Sequence, residues 1–349
     1  MRELTTKWIV RLVSFFAAAL LLYLALRGVD LHEVWIALKA GNYWWAIPLA
    51  GITVLSHWLR AVRWRILLES LPERTESDPP ISTWNTFFSI MIGYMANYAG
   101  PRIGEVIRAG NVSRRVKMPF TGVFGTVFVE RILDMAAFGL FLLTIPLIFR
   151  RQTAELWHLL SDPLWAFYDQ TNSVWIIGLG ALGLAFVIFL WVAVPKIARN
   201  PKSKVLRYFN QFRDGVLSAG RTGKPLKMTI LTLAMWLCYG LMAYLPFVLL
   251  GLDLPFHIGP VEAWGIMLIG AFGVIIPSPG GIGTFHFVTI QSLGMLFAMP
   301  NTDAATYALL VHSGQMLLYL FLGTLGILYL GTIPEQLVPI TKMKAAKHE

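Results

Sequence analysis

The chain has 349 residues, of which 56% are hydrophobic and only 14% charged, with a formal net charge of +10 and a mean hydropathy of +0.62. Soluble domains carry nearer a quarter charged residues, and here the apolar excess lies in runs close to the roughly 20 residues that cross a bilayer at about 1.5 Å each. A soluble globular class is thereby excluded. The Lys and Arg residues flank the apolar runs and form no stripe interleaved with aromatics, which argues against nucleic acid and for anionic lipid headgroups.

Taken in chain order, six apolar runs are expected as full spans, at about 8–26, 43–59, 120–149, 174–194, 226–250 and 304–331. The first follows Arg2 and Lys7 and has no small-residue cleavage site just beyond it, so a retained helix is expected instead of a signal peptide. The second ends in Leu59-Arg-Ala-Val-Arg-Trp-Arg-Ile-Leu-Leu68, where Arg60 and Trp64 share a face with Arg63 beside them. Anchoring at headgroup depth is the plain reading of that end, with Arg63 in reach of a lipid phosphate. His57, one turn earlier, reads as a packed polar residue.

Two further apolar segments, about 84–116 and 261–298, are interrupted by Gly and Pro. The first break runs Asn97-Tyr-Ala-Gly-Pro101-Arg102-Ile-Gly104-Glu105-Val-Ile-Arg108, and the second Ile276-Pro-Ser-Pro279-Gly280-Gly281-Ile-Gly283-Thr-Phe-His286. Ile103-Gly104 and Ile282-Gly283 lie 179 positions apart, about half the chain. Matching interruptions in two halves point to a transporter-type binding site. A broken backbone inside a bilayer is tolerated only where it is buried in protein or lines a cavity. Helices restarting after each break would aim N-terminal N–H groups and partial positive charge toward mid-membrane, which suits a phosphate. Arg102 and Arg108 would add fixed charge, and Glu105 would position or partly neutralise Arg108. Simple Gly/Pro kinks between packed helices remain the alternative.

Within the span 120–149 stand Glu130, Arg131 and Asp134. Charges there face the bundle interior and pair, and the i,i+3 spacing makes Arg131–Asp134 a candidate pair. It would be either a structural lock between two helices or a gate or proton-linked element. His286, on the first turn after the second break, is a candidate for hydrogen bonding to substrate or for proton coupling, with His312 and Gln315 in the last span as supporting residues and bundle packing the competing role for His312. Cys238 is the single cysteine and has no internal disulfide partner. No Walker loop, Rossmann fingerprint, metal-ligand spacing or nucleophile elbow occurs, so no metal, no cofactor and no ATP-driven pump is expected.

If each broken segment doubles back, the N-terminus, 60–83, 102–119, 195–227 and the C-terminal tail share one side, with 24 of the 29 Lys and Arg. The positive-inside rule makes that side cytoplasmic. Three crossings per half then invert the second half relative to the first. The expected fold is a single transmembrane domain, 1–335, of two inverted repeats (about 8–149 and 174–331), each with three spans and one re-entrant hairpin. A short basic tail, 336–349, follows.

The ordered set Leu59-Arg-Ala-Val-Arg-Trp-Arg, Pro101-Arg-Ile-Gly-Glu-Val-Ile-Arg108, Glu130-Arg131-x-x-Asp134 and Pro279-Gly-Gly-Ile-Gly283 resembles the flippase-like family that includes the transmembrane region of lysylphosphatidylglycerol synthases. The resemblance covers about residues 8–331. In many members the second break continues to an acidic residue where this chain has His286. The synthases also append a soluble aminoacyl-transferase domain, whereas this chain ends 18 residues after its last span, so lysyl transfer is not expected. The resemblance implies movement of an anionic or aminoacylated phospholipid, or of a polyprenyl-phosphate lipid, between leaflets of a prokaryotic inner membrane. An intramembrane transferase on a lipid phosphate, with Glu105 or His286 as base, and a scaffold for envelope-lipid synthesis are the alternatives.

Overall fold

Local capping explains where the first elements begin. In the computed structural model, which describes residues 16, 19–74, 80–100, 102–150, 204–275 and 278–332, the Asp30 carboxylate accepts from the N–H groups of His32 (2.8 Å) and Glu33 (3.3 Å). That cap starts helix α1, Leu31–Ala40, which lies between the first two expected spans. Asn42 likewise caps a 3₁₀ turn, Tyr43–Trp45, which leads into α2, Ala46–Glu69. At 24 residues, α2 is about 36 Å long. It runs well past the expected end of its span at residue 59.

There follow α3 (Thr83–Asn97), α4 (Ile103–Val116), α5 (Phe120–Leu142) and the single turn α6 (Ile145–Ile148). After residues outside the described set come α7 (Lys204–Arg221), α8 (Pro225–Leu250), α9 (Pro260–Ile275), a 3₁₀ turn (Pro279–Gly281), α10 (Thr284–Phe297) and α11 (Asn301–Thr332). No strand occurs among the described residues. The expected span 174–194, the opening part of 8–26, the tail 336–349 and Pro101 lie outside them.

Among the described residues, three stretches are long and apolar enough to cross a membrane: Phe120–Ile148, Pro225–Leu250 and Asn301–Thr332. They coincide with the expected spans 120–149, 226–250 and 304–331. Both interrupted segments fold as helical hairpins, α3–α4 and α9–α10, whose arms of 14 to 16 residues reach only about 21–24 Å. A hydrocarbon core is about 30 Å thick. Each arm alone is too short to span it.

The order long helix, hairpin, long helix occurs twice. The pairs α2/α8, α3/α9, α4/α10 and α5/α11 begin 179, 177, 181 and 181 positions apart. Two apolar cores lie largely one in each half, though Ala25 and Phe149 of the first half join the second core. One gathers Trp64, Leu68, Phe87, Ile90, Met91 and Val123; the other centres on Phe247 and Tyr307, whose rings stack 3.8 Å apart. The halves meet where α2 packs on α8 and α3 on α11.

Small residues set the tightest crossings. A Cβ on Gly104 would lie 1.9 Å from the Gly93 carbonyl oxygen, so α3 and α4 touch backbone to backbone. The amphipathic helix α7 crosses α5 the same way, for a Cβ on Gly215 would lie 2.3 Å from the Gly122 carbonyl oxygen and 2.8 Å from Gly125 Cα. Gly215→Leu is expected to cost about 1–3 kcal/mol, read as a lower unfolding midpoint in detergent. Gly220, on the same helix with open space around it, is the control site. Equal effects of Gly215→Leu and Gly220→Leu would mean that α7 does not close on α5.

Candidate functional site

Three helices each present a pair of charged side chains one turn apart: Arg60 and Arg63 on α2, Glu105 and Arg108 on α4, Glu130 and Asp134 on α5. Spacings of three or four place each pair on one helix face, and packing brings the faces together. Glu130, fully buried, accepts from Arg60 Nη1 (2.6 Å) and Arg108 Nη1 (2.8 Å). Asp134 accepts from Arg60 Nη1 (2.8 Å) and Arg63 Nη2 (2.5 Å).

Neutral donors and acceptors complete the shell. Arg60 donates to Tyr239 Oη at 2.9 Å and Arg63 to Thr232 Oγ1 at 2.9 Å, both on α8 of the other half. The Arg108 guanidinium lies 4.9 Å over the Trp64 ring, and that indole N–H is held by Thr126 Oγ1 at 2.9 Å. Stacking on an aromatic face offsets part of the cost of desolvating the cation.

Two expectations are corrected here. Arg131 and Asp134 do not pair with each other: Arg131 Nη2 donates to Glu105 Oε1 at 2.5 Å, while Asp134 binds Arg60 and Arg63. Each interhelical pair neutralises charge on two helices at once, which a local i,i+3 pair would not do. Arg60 and Arg63 are also not surface anchors, being 5% and 0% exposed. With Arg108, they are three of the 24 cations assigned to the cytoplasmic side that lie inside the bundle instead, leaving 21.

The two breaks come together beside this cluster. Gly280, at φ +60°, sits so close to Tyr98 that a Cβ there would lie 2.3 Å from Tyr98 Cδ1. His312 on α11 donates from Nε2 to the Gly280 carbonyl oxygen (3.0 Å), and its ring stands 4.8 Å from that of buried His286. Ser278 and Thr284 hydroxyls lie 3.0 Å apart, and Thr284 Oγ1 donates to the Gly281 carbonyl oxygen (3.2 Å), closing the loop through Gly281 and Gly283 onto α10. Pro279 opens the 3₁₀ turn. Gln315, half-buried on α11, is one turn beyond His312.

At the first break, Asn97 Oδ1 accepts the Gly104 N–H at 2.7 Å, and Arg102, left-handed at φ 59° and exposed, is the N-cap residue of α4. The first turn of α4 therefore already uses one of its free donors and carries its own anion, Glu105. Arg108 likewise points into the ion-pair cluster instead of into an open cradle at the break. The structure thus separates the expected anion site into two parts, an exposed Arg102 and a buried Arg108.

Residues that the sequence did not single out as site members join the two regions. Arg60 is the most connected cation of the cluster. His57, three residues before it, shares a 2.9 Å hydrogen bond between Nε2 and Tyr319 Oη, and Tyr94 stacks on Tyr319 at 5.0 Å. Tyr94 on α3 and Tyr98, the C-cap residue of that helix, are one turn apart, while His312 and Tyr319 are two turns apart on α11. Those spacings were a legible signal. They draw one polar aromatic seam from the charge cluster to the meeting of the breaks.

Among the described residues, four guanidiniums (Arg60, Arg63, Arg108, Arg131) face three carboxylates (Glu105, Glu130, Asp134), leaving one positive charge in excess. Arg60 Nε, Arg63 Nε and Arg108 Nη2 are buried without hydrogen-bond partners. An arginine does not shed its proton to relieve such an excess. Chemically the arrangement suits a transient anion.

The chain matches the family model described as the lysylphosphatidylglycerol synthase transmembrane region over residues 9–323. No curated protein and no solved structure matches it.

Proposed function

Because the chain belongs to the lysylphosphatidylglycerol synthase transmembrane-region family, an integral membrane family related to lipid synthesis or flipping, we propose that it moves an anionic phospholipid between leaflets. The observation that carries this is the buried cluster with one uncompensated positive charge in a membrane protein. Charge at that depth is expensive, on the order of 2.5–3.5 kcal/mol per residue by insertion scales. A headgroup phosphate passing the cluster would offset the excess and meet the unused guanidinium N–H groups.

The twofold recurrence of helix lengths and start points supports two repeats, and the remaining loop cations support their inverted arrangement with cytoplasmic termini. In this reading the hairpins α3–α4 and α9–α10 enter from opposite faces, and their tips meet at Tyr98 and Gly280. Rocking one repeat against the other would expose the cluster to each leaflet in turn. Exposed Arg207, Arg221, Lys224 and Lys227, on and just after α7, would hold anionic headgroups at the cytoplasmic surface.

The test is reconstitution in phosphatidylglycerol liposomes with a fluorescent phosphatidylglycerol whose outer-leaflet fraction is bleached by dithionite. The parent protein is expected to equilibrate the reporter. Arg102→Ala and Arg108→Ala are each expected to slow it by about tenfold or more, the value of one charge-assisted phosphate contact. Arg102 is exposed and makes no buried pair, so its variant separates function from folding. Unchanged rates in both variants, against an active parent, would remove the assignment.

A further inference from the structure

Among the ion pairs of the cluster, one is open. Side-chain exposures are 0–14% for the pairs that Arg60, Arg63 and Arg108 make with Glu130 and Asp134, but 41% for Arg131 and 17% for Glu105. Arg131 lies about midway along the Phe120–Ile148 run, so in a spanning helix it stands far from either headgroup layer. Its neighbours on that outer side are exposed and apolar: Phe128, Ile132 and Met135 on α5, and Val106 beside Glu105 on α4. On an integral membrane protein such a face looks into lipid. Among the described residues Arg131 has one ion-pair partner, and Glu105 Oε2 has no hydrogen-bond partner.

We propose that the Glu105–Arg131 pair is a lateral port for a membrane phospholipid, whose phosphodiester replaces Glu105 on Arg131 while its acyl chains stay outside on Phe128, Ile132 and Met135. This rests on the lipid-translocation reading and adds the route by which the lipid reaches the cluster. Charge selects the occupant. The linked cluster is short of one negative charge. A phosphodiester supplies one, whereas a phosphate monoester such as a polyprenyl phosphate carries about 1.5 to 2 at neutral pH and overshoots. Displaced from Arg131, Glu105 remains within one turn of Arg108, so the carboxylate keeps a cation near it.

The experiment measures binding and translocation in the same vesicles. Three photoreactive probes with a diazirine in the upper acyl chain are compared: phosphatidylglycerol, a diacylglycerol with the same chains, and a polyprenyl monophosphate carrying the diazirine near its phosphate. Labelled residues are mapped by mass spectrometry. Phosphatidylglycerol is expected to label the 128–135 stretch about tenfold more than diacylglycerol, from one charge-assisted contact. Arg131→Gln is expected to erase that excess, Arg131→Lys to keep part of it, and Glu105→Gln, which removes the competing carboxylate's charge, to raise it. Equal labelling by phosphatidylglycerol and diacylglycerol in the parent protein overturns the port without recourse to any variant. Stronger labelling by the polyprenyl phosphate overturns the choice of occupant. A phosphate-dependent excess without reporter equilibration supports the port and fails the translocation reading; equilibration that Arg131→Gln leaves intact does the reverse.

Discussion

Glu130→Gln is expected to destabilise the protein by about 3–5 kcal/mol, the cost of breaking a buried ion pair from one side. Glu130 is fully buried and lies within 4 Å of three guanidiniums, at 2.6 Å from Arg60, 2.8 Å from Arg108 and 3.6 Å from Arg63. A glutamine carbonyl still accepts a hydrogen bond but supplies no charge. Asp134 alone would then face Arg60 and Arg63, while Arg108 would keep only the Trp64 ring and the more distant Glu105. The expected readouts are a lower thermal midpoint in detergent and a smaller monodisperse fraction on gel filtration. In an Arg108→Gln background one of the three cations is already gone, so the same substitution should cost less, with a coupling of about 0.5–3 kcal/mol. A Glu130→Gln protein as stable as its parent would mean that the cluster is not assembled around this carboxylate.

That cluster marks the boundary of what the chain made legible. Glu130, Arg131, Asp134, Arg63 and Arg108 stood out because each is a charge within or beside an apolar run, and such charges must find partners. Which partner each finds depends on helices 22 to 74 positions apart in sequence, as in Arg108–Glu130 and Arg60–Asp134. With four cations and three anions, spacing on one helix cannot choose among the pairings. The same blindness shortened α2. A hydropathy run stops at Arg60, but the helix continues because those arginines are neutralised by α5, which no local window contains.

The helical order was more readable. The 179-residue offset of Ile103-Gly104 and Ile282-Gly283 anticipates four pairs of helices offset by 177 to 181. Glycine and proline interrupt helices by backbone geometry, which is local and so survives in sequence. Helix α1 is equally local, signalled by Asp30 followed three positions later by Glu33, but it lies between two apolar runs and is itself too short and too polar to register as a span. The first break shows the limit of the helix-terminus argument. Asn97 lies seven residues before Gly104 and reaches back across the turn to cap it, so a donor expected to be free for phosphate is already in use.

Contact between the two breaks is the feature no sequence pattern could supply, and Gly280→Ala tests it. At φ +60° a non-glycine residue costs roughly 1–2 kcal/mol. The added methyl would also lie 2.3 and 2.4 Å from Tyr98 Cδ1 and Cε1, far inside van der Waals contact. Tyr98 must swing away, and with it goes the ring that stands edge-on to His312, 6.4 Å between centroids. Gly280→Ala is therefore expected to lower the unfolding midpoint and to slow equilibration of the lipid reporter by about tenfold or more, since about 1.4 kcal/mol of lost alignment suffices for that factor. Tyr98→Ala alone removes the ring and leaves a gap, a smaller effect at a half-buried position. In the double variant the methyl has room: the steric part of the loss should vanish while the backbone part remains. The two substitutions should then be non-additive by about 1–2 kcal/mol in stability, a coupling of the size contacting residues show. Additive effects would mean that the tips of the two hairpins do not touch. Because the coupling is read from unfolding alone, it tests the meeting of the breaks whether or not the protein moves lipid.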